Sequence, residues 1–382
     1  MDSAIKNDWG RLSFDWNEIE EIIVFGFGSM AQIYLDNITK NVKIRFIIDN
    51  SVQLKGCWYK DIPIYSYMES KENIKNTKIV IMAETTSYNE IFNILVRDGY
   101  IENTDFTGLE RFICEWYFKR LRQVCLMEMH TTITTVCTFN CKKCNMFMPY
   151  YKQRRQYSYE SLKENIDLIF RHVDYIFKYQ LVGGEPFLNK DLPNFLEYLY
   201  DTYGSRIGRI RIITNGGVIP NEKLLYIIKK CNIEINISNY LNSIDYKEIY
   251  NQVIDAFKSA KINYKEISTL RWRDFGFPSN TFRRPQEEIR KHMLTCATAW
   301  HGLNNGCLYY CNSAWSASEC GLFSLSNTDY IDLRSLMNSE DSGISIMEFC
   351  LGDRNPGYNS FCRICGGCGE DNTDIVQAGE QM

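Results

Sequence analysis

The string CTFNCKKC sets Cys137, Cys141 and Cys144 at Cys-x3-Cys-x2-Cys spacing, directly after the run MEMHTTIT. If that run is a strand, three thiols share one loop at the mouth of a sheet, and three soft ligands suit iron–sulfur or zinc. A cubane cluster normally takes four thiolates, so three close cysteines with no obvious fourth leave one iron open to a substrate or cofactor. An open iron can do chemistry. The alternative is a zinc knuckle that borrows its fourth ligand from Cys125 or His130. The chain has 15 cysteines, and because a reducing compartment seldom ties thiols into disulfides, such a surplus points to metal. Three fall within residues 137–144 and eight lie from Cys296 onward. That distribution predicts two metal regions.

A second string, Gly183-Gly184-Glu185-Pro186, follows the next β-like run, YIFKYQLVG. The pair of motifs resembles the radical S-adenosylmethionine (SAM) enzymes, in which CxxxCxxC lies in the first βα loop and GGEP after the second strand. The resemblance covers about residues 125–370. It implies that Cys137, Cys141 and Cys144 hold a [4Fe-4S] cluster whose open iron chelates the amino and carboxylate groups of SAM. The GGEP loop would meet the amino group, its glycines allowing close backbone approach and its proline fixing the turn, with Glu185 orienting the loop. It also implies that Thr214 and Asn215 in IITNGG, and Ser238 in INISNY, lie near the ribose or the methionyl carboxylate. The position before the third cysteine is usually aromatic and reads the adenine; here it is Lys143. Adenine contacts are then expected from Phe139, Met146 or backbone.

Further on, Cys296 is followed by nine residues, Gly306, four residues and Cys311, and later by Cys362-x2-Cys365-x2-Cys368. This resembles the auxiliary-cluster modules of the same superfamily, a hairpin pair of cysteines closed by a second pair. The implied ligands are Cys296, Cys311, Cys362 and Cys365, with Cys368 able to replace Cys365. The single-cluster "twitch" form fits better than the two-cluster SPASM form, although Cys307, Cys320 and Cys350 leave a second auxiliary cluster open. A structural zinc is the competing occupant. A fully ligated cluster suits electron acceptance from a substrate radical, since it offers no site for ligand chemistry.

These loops need a scaffold. MEMHTTIT, YIFKYQLVG, RIRIITNG and IEINIS alternate with the helical patterns SYESLKENIDLIFRHVD, LPNFLEYLYDTY and EKLLYIIKKC. Serial βα units predict a barrel-like parallel sheet with ligands at the carboxyl ends of its strands. Upstream, EIIVFGFGSMAQIYLDNI, VKIRFIIDN and NTKIVIMAETTSYNEIFNILVRDG predict a small Rossmann-like sheet, with Gly26, Gly28 and Ala31 opening a helix and Asp49 ending the next strand where a ribose-binding acid would sit; the alternative is a degenerate Rossmann domain that positions or docks something without holding a dinucleotide. The expected fold is therefore α/β in three parts: a Rossmann-like domain with linker helix over 1–123, a partial (β/α)6 TIM-like radical SAM barrel over 124–285, and a small auxiliary-cluster module over 286–382.

With 382 residues, 45% hydrophobic and 24% charged, and a net charge of −4, the chain reads as a folded protein without a nucleic-acid or anionic-membrane footprint. The opening MDSAIKNDWGRLSFDW carries acids and no apolar core, which predicts a cytoplasmic location. RWRDFGFPSNTFRRP concentrates aromatics with Arg271, Arg273, Asp274, Arg283 and Arg284, either a sugar-phosphate surface or a solvated linker with packed rings. His130, His172, His292 and His301 show no metal spacing. The functional expectation is an oxidoreductase or lyase in which a 5'-deoxyadenosyl radical abstracts hydrogen from a sugar, amino sugar or nucleotide sugar. A flavodoxin- or ferredoxin-like protein would deliver the electron. The alternative is a peptide-modifying enzyme of the sulfatase-maturase or crosslinking type.

Overall fold

The computed structural model describes residues 16, 19–74, 76–279, 282–296 and 300–382. They divide into two compact units, one ending at Met127 and the other starting at Glu128.

The first unit is built on six strands, β1 (Glu21–Phe25), β2 (Lys43–Ile48), β3 (Trp58–Tyr59), β4 (Ile62–Tyr65), β5 (Lys78–Ile81) and β6 (Phe106–Gly108), in the order β3-β4-β2-β1-β5-β6. All pairings are parallel except β3 with β4. Ile23, Phe25, Phe46, Ile48, Ile79, Ile81 and Phe106 form its core, each contributing about 1.5–3 kcal/mol of burial.

The second unit is organised by an eight-stranded sheet. Its parallel half runs through β7 (Cys125–Thr134), β8 (Tyr175–Gly183), β9 (Ile207–Thr214), β10 (Glu234–Asn239) and β11 (Tyr264–Ser268). Strand β12 (Arg271–Arg273) leaves this sheet to pair with β16 (Ile375–Gln377), while β13 (Gly302–Asn304), β14 (Cys307–Tyr309) and β15 (Tyr330–Asp332) extend it beyond β7. The cysteine-rich stretch is therefore continuous with the barrel sheet.

Between the strands lie helices at 159–169, 192–203, 222–230 and 247–260. Ser158 caps the first by accepting from Ser161 N (3.3 Å), and Asn221 caps the third by accepting from Leu224 N (2.9 Å), each cap worth about 1 kcal/mol. The helices carry buried apolar stripes such as Leu192, Phe195, Leu196 and Leu199, which need an apolar partner. The sheet supplies one: the aligned pairs Tyr179 with Ile210, Leu181 with Ile212 and Ile212 with Ile235 share a face. Alternation puts Lys178 with Arg209, Gln180 with Arg211, and Arg211 with Glu234 on the opposite face. One face of the barrel sheet is thus oily and helix-covered and the other is charged.

Candidate active site

The predicted site residues gather at the carboxyl ends of β7 to β10. Thr134 ends β7 and Cys137 follows it; Gly183 ends β8, Thr214 ends β9, and Ser238 lies one residue before the end of β10. Main-chain hydrogen bonds from Gly184 N to Thr134 O and from Glu185 N to Val136 O, both 2.8 Å, stitch the GGEP loop to the backbone just ahead of Cys137. A Cβ on Gly183 would collide with the Thr134 carbonyl oxygen, and one on Gly184 with that of Val136, so this approach requires glycine at both positions.

Glu185 is fully buried. Its carboxylate accepts from Thr214 Oγ1 (2.7 Å), Asn215 N (2.7 Å) and Phe187 N (3.1 Å), tying the second loop to the third. Asn215 passes the connection on: its Nδ2 donates to Cys137 Sγ (3.5 Å) and Thr138 Oγ1 (3.1 Å), and its carbonyl accepts from Tyr246 OH (3.1 Å). Ser238 joins through a side-chain hydrogen bond to Tyr240. Phe139 is buried edge-on to Tyr246, with ring centroids 4.9 Å apart. Pro186 opens the short helical turn Pro186–Leu188. Lys143 is spent on structure, with its ammonium 2.7 Å from Asp274 Oδ2.

Burial pushes the Glu185 carboxyl up to about 7 from the ordinary 4.5. Between those values the folded chain holds a proton that the unfolded chain has released, so stability falls as pH rises through this window. Glu185→Gln should remove that slope: in urea unfolding of the metal-free protein, the wild type should lose about 3 kcal/mol more than the variant between pH 4.5 and pH 8. Equal slopes would show that the carboxylate is not buried as described.

The donors fit an iron–sulfur cluster. Burial pushes the thiols of Cys137 and Cys141 up to about 12 and about 11, and raises that of Cys144 as well. Without a cation such thiols keep their protons, so cluster assembly must displace them. N–H groups already point at the sulfurs: Phe139 N and Asn215 Nδ2 lie 3.5 Å from Cys137 Sγ, and Gln381 Nε2 lies 3.2 Å from Cys141 Sγ. His130 turns its Nε2 to the Glu128 carboxylate.

Cys296, Cys311, Cys362, Cys365 and Cys368 form a second group, each thiol sensing the charge of others in the set. Burial drives Cys362 and Cys365 well above the ordinary thiol range. Cys365 Sγ accepts from Gly367 N (3.3 Å) and Cys296 Sγ from Cys368 N (3.4 Å). Cys307 faces Asp332 and Arg334 instead, and Cys320 Sγ turns to Ala317 O (3.4 Å). Cys137, Cys144, Cys311, Cys365 and Cys368 all pack around one apolar cluster containing Phe147, Phe275, Phe277 and Phe361.

In the arginine-rich segment Arg271 and Arg283 are exposed, whereas Arg273 and Arg284 turn to the second cysteine loop; Asn280 and Thr281 lie outside the described residues. Arg284 donates to the carbonyls of Cys362 and Cys365 and lies 3.8 Å from Asp371, while Arg273 donates to Asn372 O. These cations strap the second cysteine loop in place. In the first unit, Asp49 accepts from Phe27 N and Ser51 N, both 2.8 Å, so the acid holds the glycine turn together.

Sequence reasoning missed the charged inner face of the barrel. Lys178, His130 Nε2 and the Gln180 side-chain amide all reach the Glu128 carboxylate, and Arg209 and Arg211 clamp Glu234 at 2.6 and 2.8 Å. Burial works against the Glu128 carboxylate, but the His130 hydrogen bond and the Lys178 ammonium outweigh it and hold its pKa at about 2; burial also pushes His130 below the ordinary histidine value. The signal was present, because Glu128, His130, Lys178, Gln180, Arg209 and Arg211 alternate with apolar residues along their strands.

Residues 131–282 match the family model described as the Radical SAM superfamily. These residues form a radical SAM domain within the chain. An uncharacterized protein of Methanocaldococcus jannaschii is 32% identical over 130 residues, 34% of this chain and 42% of that protein, so the chain spans about two fifths of this relative's length. Among solved structures, BtrN in complex with AdoMet and 2-DOIA is similar over 65% of this chain and 98% of its own, at 16% identity and a TM-score of 0.39. SuiB of Streptococcus suis bound to precursor peptide SuiA is similar over 74% of this chain and 84% of its own, at 12% identity and a TM-score of 0.33. Among the described residues no helix is long and apolar enough to cross a membrane.

Proposed function

We propose that this chain is a radical SAM enzyme, using S-adenosylmethionine and a [4Fe-4S] cluster, that acts on a carbohydrate, a sugar, amino sugar or nucleotide sugar, and carries it to oxidation or dehydration. The observation that carries the reading is the charged inner face of the barrel sheet. A core built only for stability would fill that face with aliphatic side chains, because buried charges cost more in desolvation than they return. Here Glu128, Lys178, Gln180, Arg211 and Glu234 line it instead. A polyhydroxylated substrate can exchange hydroxyl groups for these paired donors and acceptors, leaving no polar group unmet.

Cys137, Cys141 and Cys144 hold the SAM-binding cluster in this reading, with Gly183, Gly184, Glu185, Pro186, Thr214, Asn215 and Ser238 around the cofactor. When bound and reduced by a flavodoxin- or ferredoxin-like donor, cluster and SAM supply the 5'-deoxyadenosyl radical that removes the substrate hydrogen. The protein's own task is to fix the loop, keep the site dry and orient the C–H bond. The second cysteine group holds an auxiliary [4Fe-4S] cluster, and the shared apolar cluster supports electron passage from the substrate side.

The test is anaerobic reconstitution followed by 5'-deoxyadenosine formation with dithionite, across sugars, amino sugars, nucleotide sugars and short peptides. A rise with one sugar class supports the reading. A rise with peptides alone replaces it with peptide modification.

A further inference from the structure

We propose that Gln381 is a positioning residue for the SAM-binding cluster, its side-chain amide setting the reduction potential through Cys141. The inference rests on the reading of Cys141 as a cluster ligand.

Residues 375–382 follow a fixed path across the mouth of the barrel. Strand β16 pairs with β12, Ala378 N donates to Leu270 O (3.0 Å), and a Cβ on Gly379 would touch the Cβ atoms of Tyr240 and Ser243 at 3.3 and 3.4 Å. Beyond that point the backbone pairs antiparallel with the cysteine loop itself. Lys142 N donates to Glu380 O (2.8 Å), Met382 N donates to Asn140 O (2.9 Å), and the Lys142 ammonium meets the Glu380 carboxylate.

Within this ribbon the Gln381 side chain does two separable things. Its Oε1 accepts from Asn140 N (2.8 Å), bracing the loop. Its Nε2 donates to Cys141 Sγ (3.2 Å) and to Gly379 O (2.7 Å), so the amide cannot flip without losing these contacts. Of the sulfurs in the first cysteine group, Cys141 Sγ receives a side-chain donor from outside the βα loops.

Reduction adds negative charge that spreads onto the cluster sulfurs. An N–H dipole aimed at one of them stabilises the reduced state more than the oxidised state and raises the potential, since hydrogen bonds to sulfur are among the determinants of cluster potential. Gln381 thus makes the first electron easier to load.

The measurement is an EPR-monitored redox titration of the reconstituted holoenzyme, following the signal that changes when SAM is added. Gln381→Leu removes the donor to sulfur without adding charge, and the backbone bonds of Lys142 with Glu380 and of Met382 with Asn140 still hold the loop. It is expected to retain full iron and to shift the midpoint negative, so that at the wild-type midpoint the reduced-to-oxidised ratio falls about tenfold, equivalent to about 59 mV for one electron. Full iron with an unchanged midpoint overturns the proposal and leaves only the brace. If Gln381→Leu does not reconstitute, Gln381→Met decides by the same titration, a negative shift supporting the role and an unchanged midpoint rejecting it. Cys141→Ala tests the underlying reading separately: undiminished iron there removes Cys141 as a ligand, whatever the Gln381 variants show.

Discussion

Gly184→Ala is expected to lower SAM cleavage by about 100-fold or more and to reduce iron retention at the first cysteine group. The added methyl would occupy the space of the Val136 carbonyl oxygen and press to 3.0 Å from Cys137 Cβ. That carbonyl accepts the Glu185 N–H at 2.8 Å, so it cannot move aside without breaking the stitch between the two loops. The overpacking itself costs about 1–3 kcal/mol, which a domain of this size can survive. The larger effect is geometric, because moving a reacting centre by about 1 Å can cost 10²-fold in rate. The check is iron and labile sulfide after reconstitution, with 5'-deoxyadenosine formed under dithionite. Wild-type values for both in a folded Gly184→Ala protein would show that the GGEP backbone does not position the cysteine loop.

The same contact explains why the first loop was readable from sequence. Cys137, Cys141 and Cys144 announce themselves by residue type and spacing, and the glycines mark the close approach that the structure shows. Strands β7 to β10 were legible because apolar residues alternate along them above a helix-covered face. Strand β11 was not: Lys265, Glu266, Ile267 and Ser268 are exposed, so this edge strand lacks the alternation that burial imposes. The place of β13 beside β7 was equally invisible, since Gly302–Asn304 is three residues long and its pairing partner lies far away in sequence. Its turn carried a local signal, Asn305-Gly306, both with positive φ (55° and 74°), the usual pair for a two-residue hairpin. Gln381 left no trace, because one glutamine in a polar stretch has no period. Its role comes from tertiary pairing with the loop it contacts.

Replacing Cys296 and Cys311 together with alanine should remove about four irons per chain while leaving 5'-deoxyadenosine formation in place, now uncoupled from product. The expectation follows from what holds residues 352–374 together. That stretch contains one short helical turn, Ser360–Arg363. Its order comes from Arg284 on the Cys362 and Cys365 carbonyls, from Asn372 Nδ2 on Asp274 O and Gly367 O (both 2.9 Å), and from the gathered thiols. Protonated thiols pack as small apolar groups but tie no two segments together. A cluster would tie them to one centre, so its binding energy would also be folding energy for the loop. The double variant should therefore be cut faster by protease within 352–374 as well as losing iron. The first cysteine group keeps its own stitches to Thr134, Val136 and Asn215 and should still cleave SAM. Unchanged iron would exclude an auxiliary cluster at these cysteines. Loss of all iron would mean that the apolar cluster shared by the two cysteine groups makes them a single folding unit.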